Sequence, residues 1–496
     1  MRLIISLDSR LPDGKLARAA YTWELIARSL GISAEVTDQE NGGRRNGDHV
    51  FRIRHGIGDP SPRRDWDLFV PYEEIDGSIR VKYPSGPPLA DGGRCEPGSL
   101  LEDGRAGFDV ASLIFHLVSG MEELVSGRVD DLGRHITAGT FFHEHALYGR
   151  PLVDMYIGLI GEAIRRTLPA AGFERPRGFA VALSHDVDSL TRFSLTNASN
   201  NLLSAVHARG ARTRTRSGLA AALSLAAAPL KYLARPAETA FFDRLCSCEE
   251  RYGARSTFLL LPPRRRPTNP LDSPYSYREM MRYGNRWHSF AKIVGELQRA
   301  GWEMGLHAGV DSYRDEDVLM TQKRSVEEVT KRDIRSVRQH RLRFHIPDTW
   351  EAQERAGIAN DSTCGFNLGL GFRALIAHPY RPFSLKHNRP LGILELPLVI
   401  QDKGILRLGW SHEERVRESV KVLDEVKKWG GAAAILWHSD SVNDRRYPAL
   451  LQTYEEIIDW AISQGAFVGS MSEVEDWWRR RQQQVEVTCR TRLAGP

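Results

Sequence analysis

From residue 178 onward, short apolar runs alternate along the chain with segments of helical periodicity. Amphipathic segments such as Ser289–Ala300 and Glu413–Trp429 separate several of the runs. Short buried strands that alternate with helices form a parallel sheet or a barrel, so the pattern predicts one of these two folds. The runs are Phe179–Leu183, Thr257–Leu261, Glu303–His307, Val337–His340, Ile393–Leu398, Ala432–His438 and Phe467–Gly469.

The first 150 residues show a different, mixed pattern. A short strand at Leu3–Leu7 precedes an amphipathic helix at Tyr21–Leu30, and Phe108–Leu124 has a second apolar face of helical period. This predicts a smaller α/β domain. The predicted organisation is an N-terminal α/β domain over 1–150, a connecting helix and linker over 151–177, a barrel over 178–480 and a polar tail over 481–496.

An insertion interrupts the barrel pattern at about 190–240. It carries a basic stretch over Arg209–Arg216, followed by the Ala- and Leu-rich segment Leu219–Leu230. This segment is too short to span a bilayer. We interpret it as a helical insertion: either a lid or interfacial helix with peripheral membrane contact, or a hairpin packed on the barrel.

Composition narrows the class of protein. Hydrophobic residues make up 41% of the chain and charged residues 26%, as in soluble globular proteins. The net charge is only +5, with basic and acidic residues interleaved, so we expect no nucleic-acid partner. Met1–Asp8 reads as a buried strand rather than a signal peptide, and the five cysteines are scattered. These features favour a cytoplasmic location, and the oligomeric state stays open.

Two acids stand directly after the first apolar run of the predicted barrel. Asp186 and Asp188 are separated by one residue. Burial of a carboxylate is costly unless the group is paired or binds a metal, and two acids in one site can divide metal binding from proton transfer. The alternative is that both residues cap the next helix.

Other predicted strands end in polar side chains as well. His307 ends one run, Arg338–His340 ends another, and His438 ends a late one. Barrel enzymes form their active sites at the carboxyl ends of the strands. The recurrence therefore predicts one shared site that contains these residues together with the acid pair.

Several motifs at these strand ends and beyond them resemble one family, and the resemblance covers nearly the whole chain. They are Leu183–Asp188, Ser256–Phe258, Glu303–His307, Arg338–His340, Asp361–Phe366, Gly371–Arg373, Glu395–Leu398 and Ile435–His438. The set resembles the NodB-homology polysaccharide deacetylases, and more narrowly a bacterial deacetylase-like subgroup with an N-terminal α/β region. The resemblance implies a distorted (β/α) barrel, here preceded by the smaller α/β domain. It also implies that the barrel holds a divalent metal, and the expected metal is zinc.

The resemblance also implies roles by position. Asp186 corresponds to the general base that deprotonates the attacking water, and Asp188 and His307 correspond to metal ligands. His438 corresponds to the general acid that protonates the leaving amine, and Arg338 to a group that orients the base or the oxyanion.

The third metal ligand departs from the family pattern. The family has two histidines four residues apart, and Asp311 stands where the second is expected after His307. Because aspartate is also a zinc ligand, Asp311 is the predicted third ligand, with His340 and His185 as alternatives.

Three residues are candidates for substrate binding. Trp437 lies next to His438 and is suited to stacking on a sugar ring. Arg373 is suited either to an anionic or hydroxyl-rich substrate or to an internal salt bridge with Glu395. His340 is the third candidate, besides its alternative role as a ligand.

The predicted function is hydrolysis of a carbon–nitrogen amide bond by a metal-dependent enzyme. The expected substrate is an N-acetylated amino sugar in a polysaccharide or glycan precursor. One alternative is a non-catalytic carbohydrate-binding protein derived from a deacetylase barrel. Another is the same chemistry on a different amide or ester, since a fold does not fix the substrate.

Overall fold

The computed structural model describes the chain except for residues 39–49, 58–66, 73–100, 103–104, 145, 170–172, 174–175, 191–240, 264–268, 270–271, 273–274, 443–447 and 492–496. Most described strands belong to two sheets, which we name the N-terminal sheet and the curled sheet. The predicted insertion at about 190–240 lies almost entirely outside the described residues, so its helical form and its membrane contact stay predictions.

The N-terminal sheet confirms the α/β pattern of the first part of the chain. Leu3, Ile5 and Leu7 are fully buried, since alternate residues of a strand face the same side. Its strands are β1 (Arg2–Leu7), β2 (Ser33–Thr37), β3 (Val50–Gly56), β4 (Leu68–Pro71), β5 (Leu101–Glu102), β6 (Arg105–Ala106) and β20 (Val487–Arg490). Their order is β20-β2-β1-β3-β4-β6-β5, and among these pairs only β5 with β6 is antiparallel.

The strand β20 differs from the predicted polar tail over 481–496. It pairs in parallel with β2, and Val487 lies opposite Ala34. No residue of β20 is fully buried. Backbone hydrogen bonds to β2 hold it at the sheet edge, Val487 and Cys489 pack partly buried against the core, and no apolar run marks the strand in the sequence.

The curled sheet is formed by nine described strands, and every pairing in it is parallel. The strands are β7 (Ala180–Val187), β8 (Thr257–Leu260), β11 (Glu303–Ala308), β12 (Ser336–Gln339), β13 (Asn360–Asp361), β16 (Leu394–Glu395), β17 (Leu398–Gln401), β18 (Ala432–Leu436) and β19 (Phe467–Gly469). Their order is β16-β13-β12-β11-β8-β7-β18-β17, and β19 pairs with β7. Two short antiparallel pairs lie outside it: β9 (Met280–Tyr283) with β10 (Arg286–Ser289), and β14 (Phe383–Ser384) with β15 (Arg389–Pro390).

The connection between β16 and β17 shows that this sheet closes on itself. The two strands stand at opposite ends of the strand order, yet only Leu396 and Pro397 separate them in sequence. This two-residue link brings the ends of the sheet together, and the hydrogen bond from the Ala434 N–H to the Pro397 carbonyl extends the pairing of β17 with β18 into the link. This confirms the predicted α/β fold with a distorted barrel.

Helices flank both sheets and connect them. Helix α5 (Leu152–Thr167) carries Asp154, whose carboxylate accepts from the Ala377 N–H and faces His378, so this helix contacts the barrel region directly. The helices are α1 (Asp13–Leu30), α2 (Val110–Val118), α3 (Met121–Ser126), α4 (Phe141–Glu144), α5 (Leu152–Thr167), α6 (Phe241–Arg251), α7 (Phe290–Arg299), α8 (Glu316–Thr330), α9 (Asp348–Arg355), α10 (Asp402–Leu406), α11 (His412–Trp429), α12 (Leu450–Ser463) and α13 (Met471–Gln483). Within the described ranges, none of these helices has both the length and the apolar character needed to cross a bilayer.

Candidate metal centre

The acid pair lies at the carboxyl end of β7, inside the barrel. All eight residues of this strand are buried, so its alternating side chains face either the barrel interior or the surrounding helices. Asp186 faces inward, where Arg338 Nη1 donates to its Oδ1 over 2.8 Å. His185 faces the other way and contacts Glu249 Oε1 at 2.7 Å, so it is held apart from the acid pair.

Two histidines reach the same region from the neighbouring strands β11 and β12. The Nδ1 atom of His307 lies 3.0 Å from the Arg338 carbonyl oxygen, and the Nδ1 atom of His340 lies 2.8 Å from Asp272 Oδ1. Because a carbonyl or carboxylate oxygen can only accept, each Nδ1 carries the proton in these contacts. Fixing the proton on Nδ1 directs Nε2 toward the acid pair, as in histidines that bind metals.

Three potential ligand atoms converge at this point: Asp188 Oδ1, His307 Nε2 and His340 Nε2, all within 4.8 Å of one another. Asp188 Oδ1 lies 3.2 Å from His307 Nε2 and 3.8 Å from His340 Nε2. The first two atoms are buried and make no hydrogen bond of acceptable geometry. Buried polar atoms normally have partners, and one carboxylate oxygen with two imidazole nitrogens is a donor set that suits zinc and similar ions. The residues present therefore fit a divalent cation.

His438 lies on the other side of the acid pair, after β18. Asp402 holds it twice, with Oδ1 at 2.5 Å from His438 Nδ1 and Oδ2 accepting from its backbone N–H. Its Nε2 lies 4.0 Å from Asp186 Oδ2 and 3.7 Å from Asp188 Oδ2. Burial lowers the pKa of His438, but the Asp402 carboxylate outweighs it and raises the pKa above its ordinary value.

The charge states of the centre follow from these contacts. Burial raises the pKa of Asp186, yet His307 and Arg338 bring it below its ordinary value. Burial also raises the pKa of Asp188, and Lys403, with His307, holds it well below the usual range. Both acids are therefore carboxylates near neutral pH. The pKa of His307 is raised, because Asp186 and Asp188 outweigh its burial.

Asp311, the predicted third ligand, lies outside this group. It lies in the turn Val310–Arg314, with its side chain 49% exposed. There it accepts from Asn269 Nδ2 and lies 3.6 Å from Arg343. The turn after β11 directs this side chain toward solvent, and His340 is the third member of the group of potential ligands.

Two of the predicted substrate-binding residues, Arg373 and Trp437, are buried in the structure. Both Nε and Nη2 of Arg373 donate to the Glu123 carboxylate over 2.7 Å, and the Arg373 side chain is only 6% exposed. The salt-bridge partner is thus Glu123 of α3 rather than Glu395. Trp437 is fully buried and packs on the Tyr454 ring, so it offers no face to a sugar.

Three charged residues of the centre were missed by sequence reasoning: Asp272, Asp402 and Lys403. Asp402 directly follows β17, so the rule that polar residues at strand ends build the site could have identified it together with Lys403. Asp272 lies in a connecting segment with no periodic pattern, and its contact with His340 depends on the tertiary fold.

Comparisons with known proteins give one family and several distant structures. A protein-family model described only as a family of unknown function, DUF7033, matches residues 11–169. No curated protein matches the chain. Among solved structures, the chain is similar to a protein from Mycobacterium smegmatis described as a polysaccharide deacetylase, with 18% identity, a TM-score of 0.39 and coverage of 66% of this chain and 96% of that chain.

The chain is similar to two further solved structures. One, from Pseudomonas aeruginosa, is also described as a polysaccharide deacetylase, with 14% identity, a TM-score of 0.36 and coverage of 61% of this chain and 91% of that chain. The other is a CE4-family pseudoenzyme from Bacillus anthracis, with 13% identity, a TM-score of 0.29 and coverage of 63% and 69%. At these TM-scores, the fold of the present chain rests on its own strand order and closure.

Proposed function

We propose that this chain is a metal-dependent hydrolase of a carbon–nitrogen amide bond. The proposed reaction is N-deacetylation of an amino sugar in a polysaccharide or glycan precursor. The observation that supports it is the convergence of Asp188 Oδ1, His307 Nε2 and His340 Nε2, the first two of which are buried and make no hydrogen bond of acceptable geometry. A divalent cation held by these three atoms supplies Lewis acidity, which lowers the pKa of water and polarises an amide carbonyl.

The chain's own side chains provide both a general base and a general acid for hydrolysis. Asp186 is ionised and can accept a proton, and Arg338 fixes its Oδ1 so that Oδ2 remains directed into the site. His438, whose pKa is raised, can donate its Nε2 proton to a leaving amine, while Asp402 orients the ring through Nδ1. Because Asp186 Oδ2 and His438 Nε2 are only 4.0 Å apart, both can reach one scissile bond.

Metal content of the purified protein tests this proposal. We expect near-stoichiometric zinc or another divalent ion in the wild-type protein, retention in Asp311→Ala and loss in His340→Ala. Asp311→Ala is a matched control, because it removes an acid in the turn after β11 that lies outside the ligand group. Equal metal loss in both variants, or a wild type that stays metal-free after incubation with zinc, cobalt and manganese, would refute the site.

Substrate class needs a separate measurement. Metal-loaded protein should release acetate from N-acetylated oligosaccharides faster than from simple amides and esters, and Asp186→Asn should abolish the release without loss of metal. A preference for simple amides or esters would support the hydrolase function but contradict an amino sugar as the substrate.

One observation favours a second candidate, a carbohydrate-binding protein without turnover. Lys403 Nζ lies 2.8 Å from Asp188 Oδ2 and balances this carboxylate without any metal. In that case, the metal-free protein should bind glycans as tightly as the metal-treated protein does, in calorimetric titrations.

A further inference from the structure

Lys403 occupies a position inside the candidate metal centre that neither proposed reaction step uses. It is the second residue of α10, and the residue before it, Asp402, orients His438. Its Nζ donates to Asp188 Oδ2 over 2.8 Å, and its side chain is 34% exposed. The ammonium therefore lies at the solvent side of the centre, in contact with a residue of the ligand group.

This contact divides the two oxygens of Asp188 between different partners. Oδ1 faces His307 and His340, whereas Oδ2 faces Lys403 and, at 3.7 Å, His438. The hydrogen bond from the Lys403 ammonium holds Oδ2 on the side of Lys403 and reduces the negative charge that this oxygen presents to a cation. While Lys403 stays in place, Asp188 therefore presents Oδ1, rather than Oδ2, to a cation beside the two histidines.

The charges around the acid pair are already balanced within the protein. Arg338 pairs with Asp186, and Lys403 pairs with Asp188. A divalent cation beside Asp188 Oδ1 would add two positive charges a few ångströms from an ammonium, in a site where burial weakens solvent screening. A lysine can move away from the cation, because its charge is carried on a flexible four-carbon stem that can turn toward solvent.

We propose that Lys403 is a built-in counter-ion that competes with the divalent cation for Asp188 and so sets the affinity of the metal centre. This inference rests on the proposed function, because it assumes that the three ligand atoms bind a cation. It assigns Lys403 as a positioning residue for Asp188, with two effects. Lys403 stabilises the metal-free centre by pairing with Asp188, and it weakens metal binding by repulsion and by engaging Oδ2.

Cobalt and zinc titrations of purified, chelator-treated protein test the assignment at one fixed pH. Lys403→Met keeps the length of the side chain and removes the charge, and Lys403→Arg keeps the charge. Lys421→Met is the matched control, because it removes a lysine charge from an exposed position on α11. We expect the cobalt dissociation constant of Lys403→Met to fall by at least about tenfold, while Lys403→Arg and Lys421→Met stay close to wild type.

Two readouts independent of catalysis accompany the titration. The visible spectrum of bound cobalt should change in Lys403→Met, since loss of the ammonium alters the charge and the hydrogen bonding of the Asp188 carboxylate. The metal-free Lys403→Met protein should unfold at a lower temperature than metal-free wild type, and added cobalt should raise its unfolding temperature more. If Lys403→Met does not fold without metal, Lys403→Gln, which retains a hydrogen-bond donor, is titrated in its place.

The outcomes separate this inference from the proposed function. If cobalt binds wild type and Lys403→Met equally, or binds Lys403→Met more weakly, Lys403 does not compete with the cation, but the metal centre is still supported. Cobalt that binds Lys403→Met but not wild type supports the competition in its strongest form. Absence of binding in every variant overturns both the metal centre and the role of Lys403.

Discussion

The ion pair between Glu123 and Arg373 provides the sharpest stability prediction, because both charges are largely removed from water. Two hydrogen bonds of 2.7 Å join them, and their side chains are only 17% and 6% exposed. Removal of one partner leaves the other charge buried and uncompensated, which typically costs about 3–5 kcal/mol. We therefore expect Arg373→Met and Glu123→Gln each to lower the free energy of unfolding by about this amount.

A double variant distinguishes an uncompensated charge from lost packing. With both charges removed, no buried charge remains uncompensated, so Glu123→Gln/Arg373→Met should be much less destabilised than the sum of the single variants. Urea denaturation followed by tryptophan fluorescence gives the three free energies. Single variants that cost less than about 1 kcal/mol, or costs that simply add, would refute this account.

The same pair has a pH dependence of known sign. Burial raises the pKa of Glu123, but Arg373 outweighs it and brings the pKa below its ordinary value in the folded protein. The stability that the pair contributes is therefore present above the unfolded pKa and is lost as the pH falls through the folded pKa. Denaturation at neutral and acid pH should show the penalty of Glu123→Gln only at neutral pH.

Three further predictions concern single residues. Asp272→Asn weakens the hold on His340 and should raise the metal dissociation constant about 10–100-fold in an equilibrium titration, and unchanged affinity would exclude the orienting role. Burial, with a contribution from Glu123, raises the pKa of Glu122 to about 8, so its ionisation opposes folding as the pH rises above the unfolded value. At pH 9, Glu122→Gln should therefore be more stable than wild type by about 2 kcal/mol, a figure that is reduced because the side chain is partly exposed to solvent. At pH 4, urea denaturation should show no gain in stability. Trp437→Phe should leave glycan binding unchanged in calorimetry, because the ring is buried, and a clear loss of affinity would contradict this.

The fold was predictable because its signal is repeated along the chain. Alternation of apolar runs and amphipathic segments predicts a parallel sheet or barrel without knowledge of any contact. Closure depends on which strands become neighbours, and Pro397 between β16 and β17 gives no local sign that the two ends of the sheet meet there. The strand β20 escaped prediction because its side chains are polar or half-exposed.

The candidate site was only partly predictable, for a related reason. Residues at strand ends, such as Asp186 and His307, follow from position along the chain. The third ligand depends on register: in the pairing of β11 with β12, His307 lies opposite Arg338, which brings His340 into reach. A search at fixed spacing from His307 finds Asp311 instead, because spacing carries no information about the next strand.

Burial explains why the positions of Arg373 and Trp437 differ from those expected of substrate-binding residues. Arg373 and Trp437 have side chains that bind substrates in many proteins, and nothing in their neighbouring residues distinguishes an inward from an outward orientation. The acid that pairs with Arg373 lies 250 positions away in sequence. Such partners become visible only when the fold brings α3 against the barrel.

The strand β20 has a consequence for how the chain is made. It pairs with β2, so the N-terminal sheet receives this edge strand only after the whole barrel has left the ribosome. Until then, the backbone groups on that side of β2 are unpaired, and an open edge of this kind is a template for pairing with other chains. During synthesis, β2 therefore stays exposed while more than 400 residues emerge. Slow translation of the barrel should lengthen this interval and favour aggregation, whereas β20 supplied as a separate peptide should protect the nascent chain.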